Sequence, residues 1–408
     1  MDESIFTQYI QKRKQIIKNR NILQTTYIPE QLPHRNTQID RIASIIAMAL
    51  NGDRPSNIMV YGMTGTGKTA VLNYIGKELK KIDPEEQKCS YVYVNCEVVD
   101  TAYGILYNIV SQIMIDSQIP FTGWSFEKLY SELIIQLDKL DKVFIVVLDE
   151  IDHMVSKKGD MIFYYLVKIN ENLQNSKVSL VGISNNMKFG ELLEPKAKSR
   201  LGEENLIFPP YTKEELEDIL TERAKEALFD DVLDSSVIPY CAILAAKVNG
   251  DARVALNLLK TAADIAERNG ESIVTDAEVK SAKNSIEFNV VSEGLKTLSQ
   301  QSKIILMSII KNVERGNAVM TTGEVYIMYK SISELLGTSA LTQRRVTDLI
   351  SELDMMGFIN ASIKSLGRAG RTKEIELSIA KDIVAVFKND PIFKPLESNK
   401  VPTQTKLI

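Results

Sequence analysis

Residues 58–69 read IMVYGMTGTGKT, and the fold follows from this stretch. A short β-rich run leads to Gly62, Gly65 and Gly67, then to Lys68 and Thr69, and a helical stretch, AVLNYIGKELKK, follows. The spacing is G-x-x-x-x-G-K-[ST] between a strand and a helix, which is a phosphate-binding loop. Glycines let successive backbone N–H groups curl around phosphate oxygens, and a lysine here reaches the β- and γ-phosphates. The hydroxyl of Thr69 meets a divalent cation at a helix N-terminus, where the dipole already favours anions. Gly62, Thr64, Gly65, Thr66, Gly67, Lys68, Thr69 and Ala70 are therefore the expected loop contacts to ATP or ADP, with Mg2+ alongside. A flexible Gly-rich turn is the bland alternative, and the strand–loop–helix context argues against it.

Downstream, residues 142–152 read KVFIVVLDEID. The apolar run Val143 to Leu148 predicts a buried parallel strand, and it ends in two carboxylates. Carboxylates at the C-terminal end of such a strand face the ligand crevice of an open α/β sheet. Asp149 is thus the expected partner of Thr69 at the Mg2+ ion, and Glu150 is the expected general base for the attacking water. A further apolar strand, VSLVGISNN (178–186), carries Asn185 to the same edge, where it can orient water or the γ-phosphate.

The rest of the composition bounds the problem. A chain of 408 residues exceeds one ordinary core, so two or three domains are expected. No apolar run approaches the roughly 20 residues that span a bilayer, and the charged N-terminus lacks the apolar centre of a secretory signal. Cys89, Cys96 and Cys241 have no metal-ligand spacing and suit a reducing interior, while His34 and His153 are too far apart for a histidine metal site. These features imply a cytosolic protein with no membrane partner. The net charge of −4 argues against a general polycation, so any nucleic-acid contact needs a local basic patch.

That patch lies near the C-terminus. LKTLSQQSKIILMSIIKN and TGEVYIMYKSISELLG each predict a helix. A third helix, about 342–356, places Val346, Leu349, Ile350, Leu353 and Met356 on one face. INASIKSLGRAGRTKEIEL then predicts a β-hairpin turning at Gly367 and Gly370. Three helices and a basic hairpin describe a winged helix, whose third helix enters the major groove by its N-terminal residues. Thr342, Gln343, Arg344 and Arg345 at that helix start, with Lys364, Arg368, Arg371 and Lys373 on the wing, are the expected DNA contacts. Winged helices also dock proteins, and the basic wing favours DNA.

In combination, YIPEQLPHRNTQI, LDEID, GISNN, KSRLGEENLIFPPYTKEELEDIL, GDARVALNLL and GRAGRTKEIEL make the chain resemble the archaeal replication initiators. That family is related to the largest origin-recognition subunit and to the helicase-loading cell-division-cycle protein. The resemblance runs from about Tyr27 to Leu377 and implies an α/β P-loop AAA+ domain with a helical lid, followed by an α+β winged-helix domain. It also implies roles. Asn185 matches sensor 1, Arg253 sensor 2, and Arg200 an arginine that can act on a neighbouring subunit's ATP. Tyr211 and Arg223 match lid-side nucleotide contacts, and Ile28, Pro29 and His34 lie in the stretch near adenine. Lys196 and Asn186 depart from the family pattern, where arginine and aspartate are usual, and a lysine lacks arginine's planar fork.

The expected divisions are a flexible segment 1–17, a nucleotide-binding domain 18–209, a lid 210–290, the winged helix 291–388 and a disordered tail 389–408. Between the strands YVYVNC (91–96) and 143–148, residues 97–141 match the extra helical element that marks initiators and touches DNA in that family. Read without the resemblance, they are an amphipathic core pair with Trp124 as a local plug. The implied function is ATP-dependent initiation at double-stranded origin DNA, with slow ATP hydrolysis. The replicative minichromosome-maintenance helicase and paralogous initiator subunits are the implied partners. The alternative is a DNA-binding regulator of transcription or copy number that uses ATP as a conformational ligand.

Overall fold

A computed structural model describes residues 15–114, 123–193, 198, 201, 203–365 and 371–398. The chain divides into two compact units between Ser281 and Ala282.

In the first unit, strands β1 (Ile58–Gly62), β2 (Cys89–Asn95), β3 (Val143–Asp149), β4 (Lys177–Ser184) and β5 (Glu204–Phe208) form one parallel sheet, ordered β2-β3-β4-β1-β5. All seven residues of β3 are buried, as its unbroken apolar run requires for a strand covered on both faces. Alternate side chains divide between two cores. Phe144, Val146 and Leu148 pack with α3 (Ala102–Ile113) and α4 (Phe126–Leu140). Val143, Ile145 and Val147 pack instead with α1 (Asn36–Ile46) and α2 (Lys68–Ile82). Trp124 packs partly buried against the first core, with the Lys128 ammonium 4.4 Å from its ring centroid. Because β1 lies between β4 and β5, the loops leaving β1, β3 and β4 open at one edge of the sheet. Helix α5 (Ile151–Lys158) follows β3 directly.

Three lid helices follow: α6 (Lys213–Ala227), α7 (Val237–Ala246) and α8 (Ala252–Asn269). Thr212 and Glu215 form a reciprocal capping box that starts α6. Asp251 caps α8 by accepting the Arg253 N–H at 2.7 Å. Ile16 and Ile17, expected in a flexible segment, are 0% and 8% exposed and lie against this lid. The expected lid end at 290 falls inside α9 (Asp276–Thr297), as does the division between the units.

In the second unit, α10 (Gln300–Glu314), α11 (Thr322–Leu335) and α12 (Gln343–Met355) pack on an antiparallel sheet ordered β6-β8-β7. Its strands are β6 (Val319–Thr321), β7 (Ile359–Ser365) and β8 (Arg371–Leu377). The single helix expected over 295–312 is two. One ends at Thr297, and the Ser299 hydroxyl accepts the Ser302 N–H at 3.2 Å to start the next. The tail also differs from expectation. After α13 (Lys381–Lys388), Phe393 is 2% exposed in the second unit's core, and Lys303 pairs with Asp390 at 2.7 Å. The described chain therefore stays folded to Ser398.

Candidate nucleotide-binding site and winged-helix surface

The β1 edge opens into a cleft of about 780 Å³ between the sheet and the lid helices. Gly65 and Gly67 have φ of +72° and +88°, a region where a side chain is strained. A Cβ there would also force lid side chains to move: at Gly65 it would lie 1.7 Å from Asp251 Oδ1, and at Gly67 2.6 Å from the Tyr211 hydroxyl. The loop is thus gripped by the lid, and the Ala252 N–H donates to the Gly65 carbonyl at 3.2 Å.

The Lys68 ammonium donates to the carbonyls of Gly62 and Met63 at 2.8 and 2.7 Å, and to Asn185 Oδ1 at 2.8 Å. Burial pushes its pKa down to about 8, with Asp149 opposing the shift and Arg253 adding to it. Asn185 is held in turn by its own N–H, which donates to Asp152 Oδ1 at 3.1 Å. Asp149 is 2% exposed. Its Oδ2 accepts the Thr69 hydroxyl at 2.6 Å and the Tyr93 hydroxyl at 2.7 Å, and its Oδ1 accepts the Glu150 N–H at 2.8 Å. Two hard oxygen donors side by side, from Thr69 and Asp149, fit Mg2+. Glu150 has φ of +55°, which turns it off the strand end towards the cleft it lines. Burial, together with the neighbouring carboxyls of Glu97, Asp149 and Asp152, raises its pKa above the usual carboxylate range. A raised carboxylate pKa suits a general base.

From the lid side, Arg253 lines the cleft, half-exposed, with its guanidinium 3.4 Å from Asp251 Oδ2. Thr64, Thr66 and Ala70 line it as expected of the loop, as do Ile28, Pro29 and Tyr211. Arg223 also lines it, but it is buried and donates to the carbonyls of Ile22 and Tyr27, both at 3.1 Å. His34 is a correction. It does not line the cleft, and its Nε2 lies 2.9 Å from Asp218 Oδ2 on α6. Its left-handed φ of +61° turns the neighbouring Arg35 inward instead. Arg200 and Lys196 lie outside the described residues.

On the second unit, Thr342, Gln343, Arg344 and Arg345 are all exposed, whereas Val346, Leu349, Ile350 and Leu353 of α12 are buried. The helix therefore presents its polar first turn to solvent. Lys364 lies on β7 and Arg371 on β8, and both flank the hairpin end, in register with Thr372 and Ser365. Arg368 lies outside the described residues. The Lys373 ammonium donates to Ser351 Oγ of α12 at 2.5 Å, tying wing to helix.

Three family profiles cover most of the chain: an AAA domain over residues 52–186, the Cdc6 AAA+ ATPase-type lid domain over 217–284, and the CDC6 C-terminal winged helix domain over 293–386. The ORC1-type DNA replication protein of Thermococcus kodakarensis is 45% identical, covering 99% of this chain and 98% of its own. ORC1-type DNA replication protein 1 of Methanosarcina acetivorans is 46% identical, covering 97% and 95%. The chain belongs to the ORC1-type DNA replication proteins. The solved Aeropyrum pernix ORC1 protein in complex with DNA is 40% identical, with a TM-score of 0.80, covering 94% of this chain and 99% of that one.

This ORC1-type chain carries site residues that its motifs did not announce. Arg35 is 1% exposed and donates to the carbonyls of Thr66 (2.9 Å), His34 (2.9 Å) and Pro209 (2.7 Å). Its guanidinium stacks 3.7 Å from the Tyr211 ring centroid. Tyr93, Glu97 and Asp251 also line or brace the site. Arg35 and Asp251 stand in the stretches YIPEQLPHRNTQI and GDARVALNLL, and Tyr93 lies two residues before the end of a strand that runs to this edge, but none of these signals named a role for them. Among the described residues, no helix is long and apolar enough to cross a membrane.

Proposed function

We propose that this chain is an ATP-switched replication initiator that binds origin duplex and helps load the minichromosome-maintenance helicase. The observation that carries the DNA-binding part is the exposed first turn of α12, Thr342–Arg345, standing over a buried apolar face beside a basic hairpin. An Aeropyrum relative solved in complex with DNA, at 40% identity, supports DNA binding. The likeness to replication proteins over the whole chain favours initiation over a purely regulatory role.

In the nucleotide site, Lys68 exchanges its loop carbonyls for the β- and γ-phosphates and stays tied to Asn185. Arg253 brings a second positive charge from the lid. Glu150 takes the proton of the water that attacks the γ-phosphoryl, and Asn185 orients that water. Thr69 and Asp149 are the residues that would hold Mg2+, which would supply charge neutralisation at the phosphate oxygens when bound. Tyr211, Ile28 and Pro29 enclose the base and ribose, and Arg223 fixes the backbone of that wall. Arg200 acts on the ATP of a paralogous neighbour.

A salt titration of duplex binding tests the DNA role. Removing one cation from a phosphate should flatten log K against log salt by about one unit. Replacing Arg368 and Arg371 together by alanine should therefore weaken binding, lower the slope by about two and leave ATP affinity unchanged. Losing Arg344 should cost about 1–3 kcal/mol on the preferred site and relax preference there. An unchanged slope and affinity in the wing variant refutes this surface and favours protein docking. Nucleotide-dependent capture of the helicase on origin DNA tests loading.

A further inference from the structure

The wall of the cleft formed by residues 25–33 is continuous with a strap, residues 16–23, that is fastened to the lid. Four apolar residues of the strap, Ile16, Ile17, Ile22 and Leu23, are buried. The N–H groups of Lys18 and Asn19 donate to the Ala227 carbonyl, and the Phe229 N–H donates to that of Ile16. At the centre is Glu267 of α8, only 3% exposed. Its Oε1 accepts the N–H groups of Ile16 and Ile17, each at 2.9 Å, and its Oε2 pairs with Arg20, which also pairs with Asp264. Arg223 of α6 fixes the far end of the strap through the carbonyls of Ile22 and Tyr27. Glu267 lies fourteen residues beyond Arg253 on the same helix, roughly 21 Å along its axis, so it cannot touch a nucleotide.

We infer that Glu267 is a positioning residue for nucleotide binding: by clamping Ile16–Arg20 to α8, it makes the base-side wall of the cleft part of the lid. Base enclosure and Arg253 are then held as one piece against the phosphate loop. A buried carboxylate that accepts two consecutive backbone N–H groups is costly to desolvate, and its bonds fix the strap's register on the lid more firmly than apolar contact alone. The inference rests on the cleft being a nucleotide site.

The test measures binding of ATP and of inorganic tripolyphosphate, both with Mg2+, to the full chain and to three variants, with unfolding midpoints recorded in parallel. Glu267→Ala should weaken ATP about tenfold and leave tripolyphosphate unchanged, because only the base side of the cleft is loosened. Glu267→Gln keeps an acceptor oxygen for the two N–H groups and should recover most of the ATP affinity. Arg20→Met, at a partly exposed position, should weaken ATP about threefold, and it keeps the test decisive if Glu267→Ala does not fold. ATP affinity equal to wild type in the folded Glu267 and Arg20 variants overturns the inference. Equal losses of ATP and tripolyphosphate overturn it too, since they mean a general loss of structure. If the wild-type chain itself binds neither ATP nor ADP, it is the nucleotide reading that fails.

Discussion

Arg35→Ala should be among the most damaging single substitutions in the nucleotide-binding unit, although Arg35 belongs to no phosphate-binding motif. Its guanidinium is 1% exposed and supplies donors to three carbonyls, those of Thr66, His34 and Pro209. Alanine leaves these acceptors without partners, at about 1–3 kcal/mol each where water does not replace the donor. The stack on Tyr211, 3.7 Å from the ring centroid, is removed as well, worth about 1–2 kcal/mol when desolvated. Water entering the space offsets part of this, so the expected net loss is about 3–5 kcal/mol. Thr66 lies in the phosphate loop, so ATP affinity should fall about tenfold in the fraction that folds. Arg35→Lys should recover less than half of the stability, because one ammonium cannot reproduce a planar fork aimed at three acceptors. Urea unfolding reads the stability, and Arg41→Ala is the internal control. Arg41 pairs with Glu204 at 3.0 Å but is largely exposed, so its loss should stay within about 0.5 kcal/mol. An Arg35→Ala protein with the wild-type midpoint and m-value refutes the reasoning.

Lys68→Ala should abolish ATP binding, whereas Glu150→Gln should bind ATP and lose turnover; wild-type hydrolysis by Glu150→Gln in a single-turnover assay removes Glu150 as the base. The lowered Lys68 pKa of about 8 sets a pH dependence. Above that pH the free site holds a neutral lysine, and anionic phosphate draws the proton back, so log Kd for ATP should rise with pH towards a slope of about one. The same shift makes the nucleotide-free protein gain stability from about pH 8 towards the ordinary lysine value, since the unfolded chain then binds the extra proton. Calorimetry in buffers of different ionisation enthalpy checks the proton uptake. Arg200→Ala should bind ATP normally and lose only the part of hydrolysis that rises with protein concentration; wild-type turnover independent of concentration removes the in-trans role.

The parts of the fold legible in the sequence are those in which one local pattern decides the outcome. The apolar run of β3 suits a strand buried on both faces, and the glycines at 65 and 67 occupy conformations that strain a side chain and spaces already filled by Asp251 and Tyr211. Strand β5 escaped notice because ENLIF alternates at a sheet edge, with Leu206 and Phe208 buried and Asn205 and Ile207 exposed. Five residues give too little periodicity to separate from a loop. The strap escaped for another reason. Ile16 and Ile17 stand among lysines and read as a solvated segment until Glu267, some 250 residues later, is known to lie beneath them. The tail failed similarly: Phe393 finds its core only through tertiary packing, and Lys303 reaches Asp390 across 87 residues.

In the site the limit falls between groups that line the cleft and groups that hold those groups in place. Lys68, Thr69, Asp149, Glu150 and Asn185 stand at the ends of strands or at the start of a helix, and the order of the sheet carries those ends to one edge. Spacing along the chain was enough to name them. Arg35, Asp152 and Glu267 act on backbone atoms, of Thr66, Asn185 and Ile16 respectively, and a backbone partner leaves no mark in the sequence. His34 shows how narrow the margin is. The segment HRN was expected near the base, but His34 is left-handed, its imidazole meets Asp218, and the next side chain bonds the carbonyl of Thr66 in the phosphate loop. The wing repeats the lesson: a charge run marked Lys373 as a DNA contact, while the fold joins its ammonium to Ser351 of α12. That bond joins the helix proposed to read bases to the hairpin proposed to hold phosphate. Its removal would disturb base preference and phosphate binding together, where removal of Arg344 or of the hairpin arginines disturbs one of them.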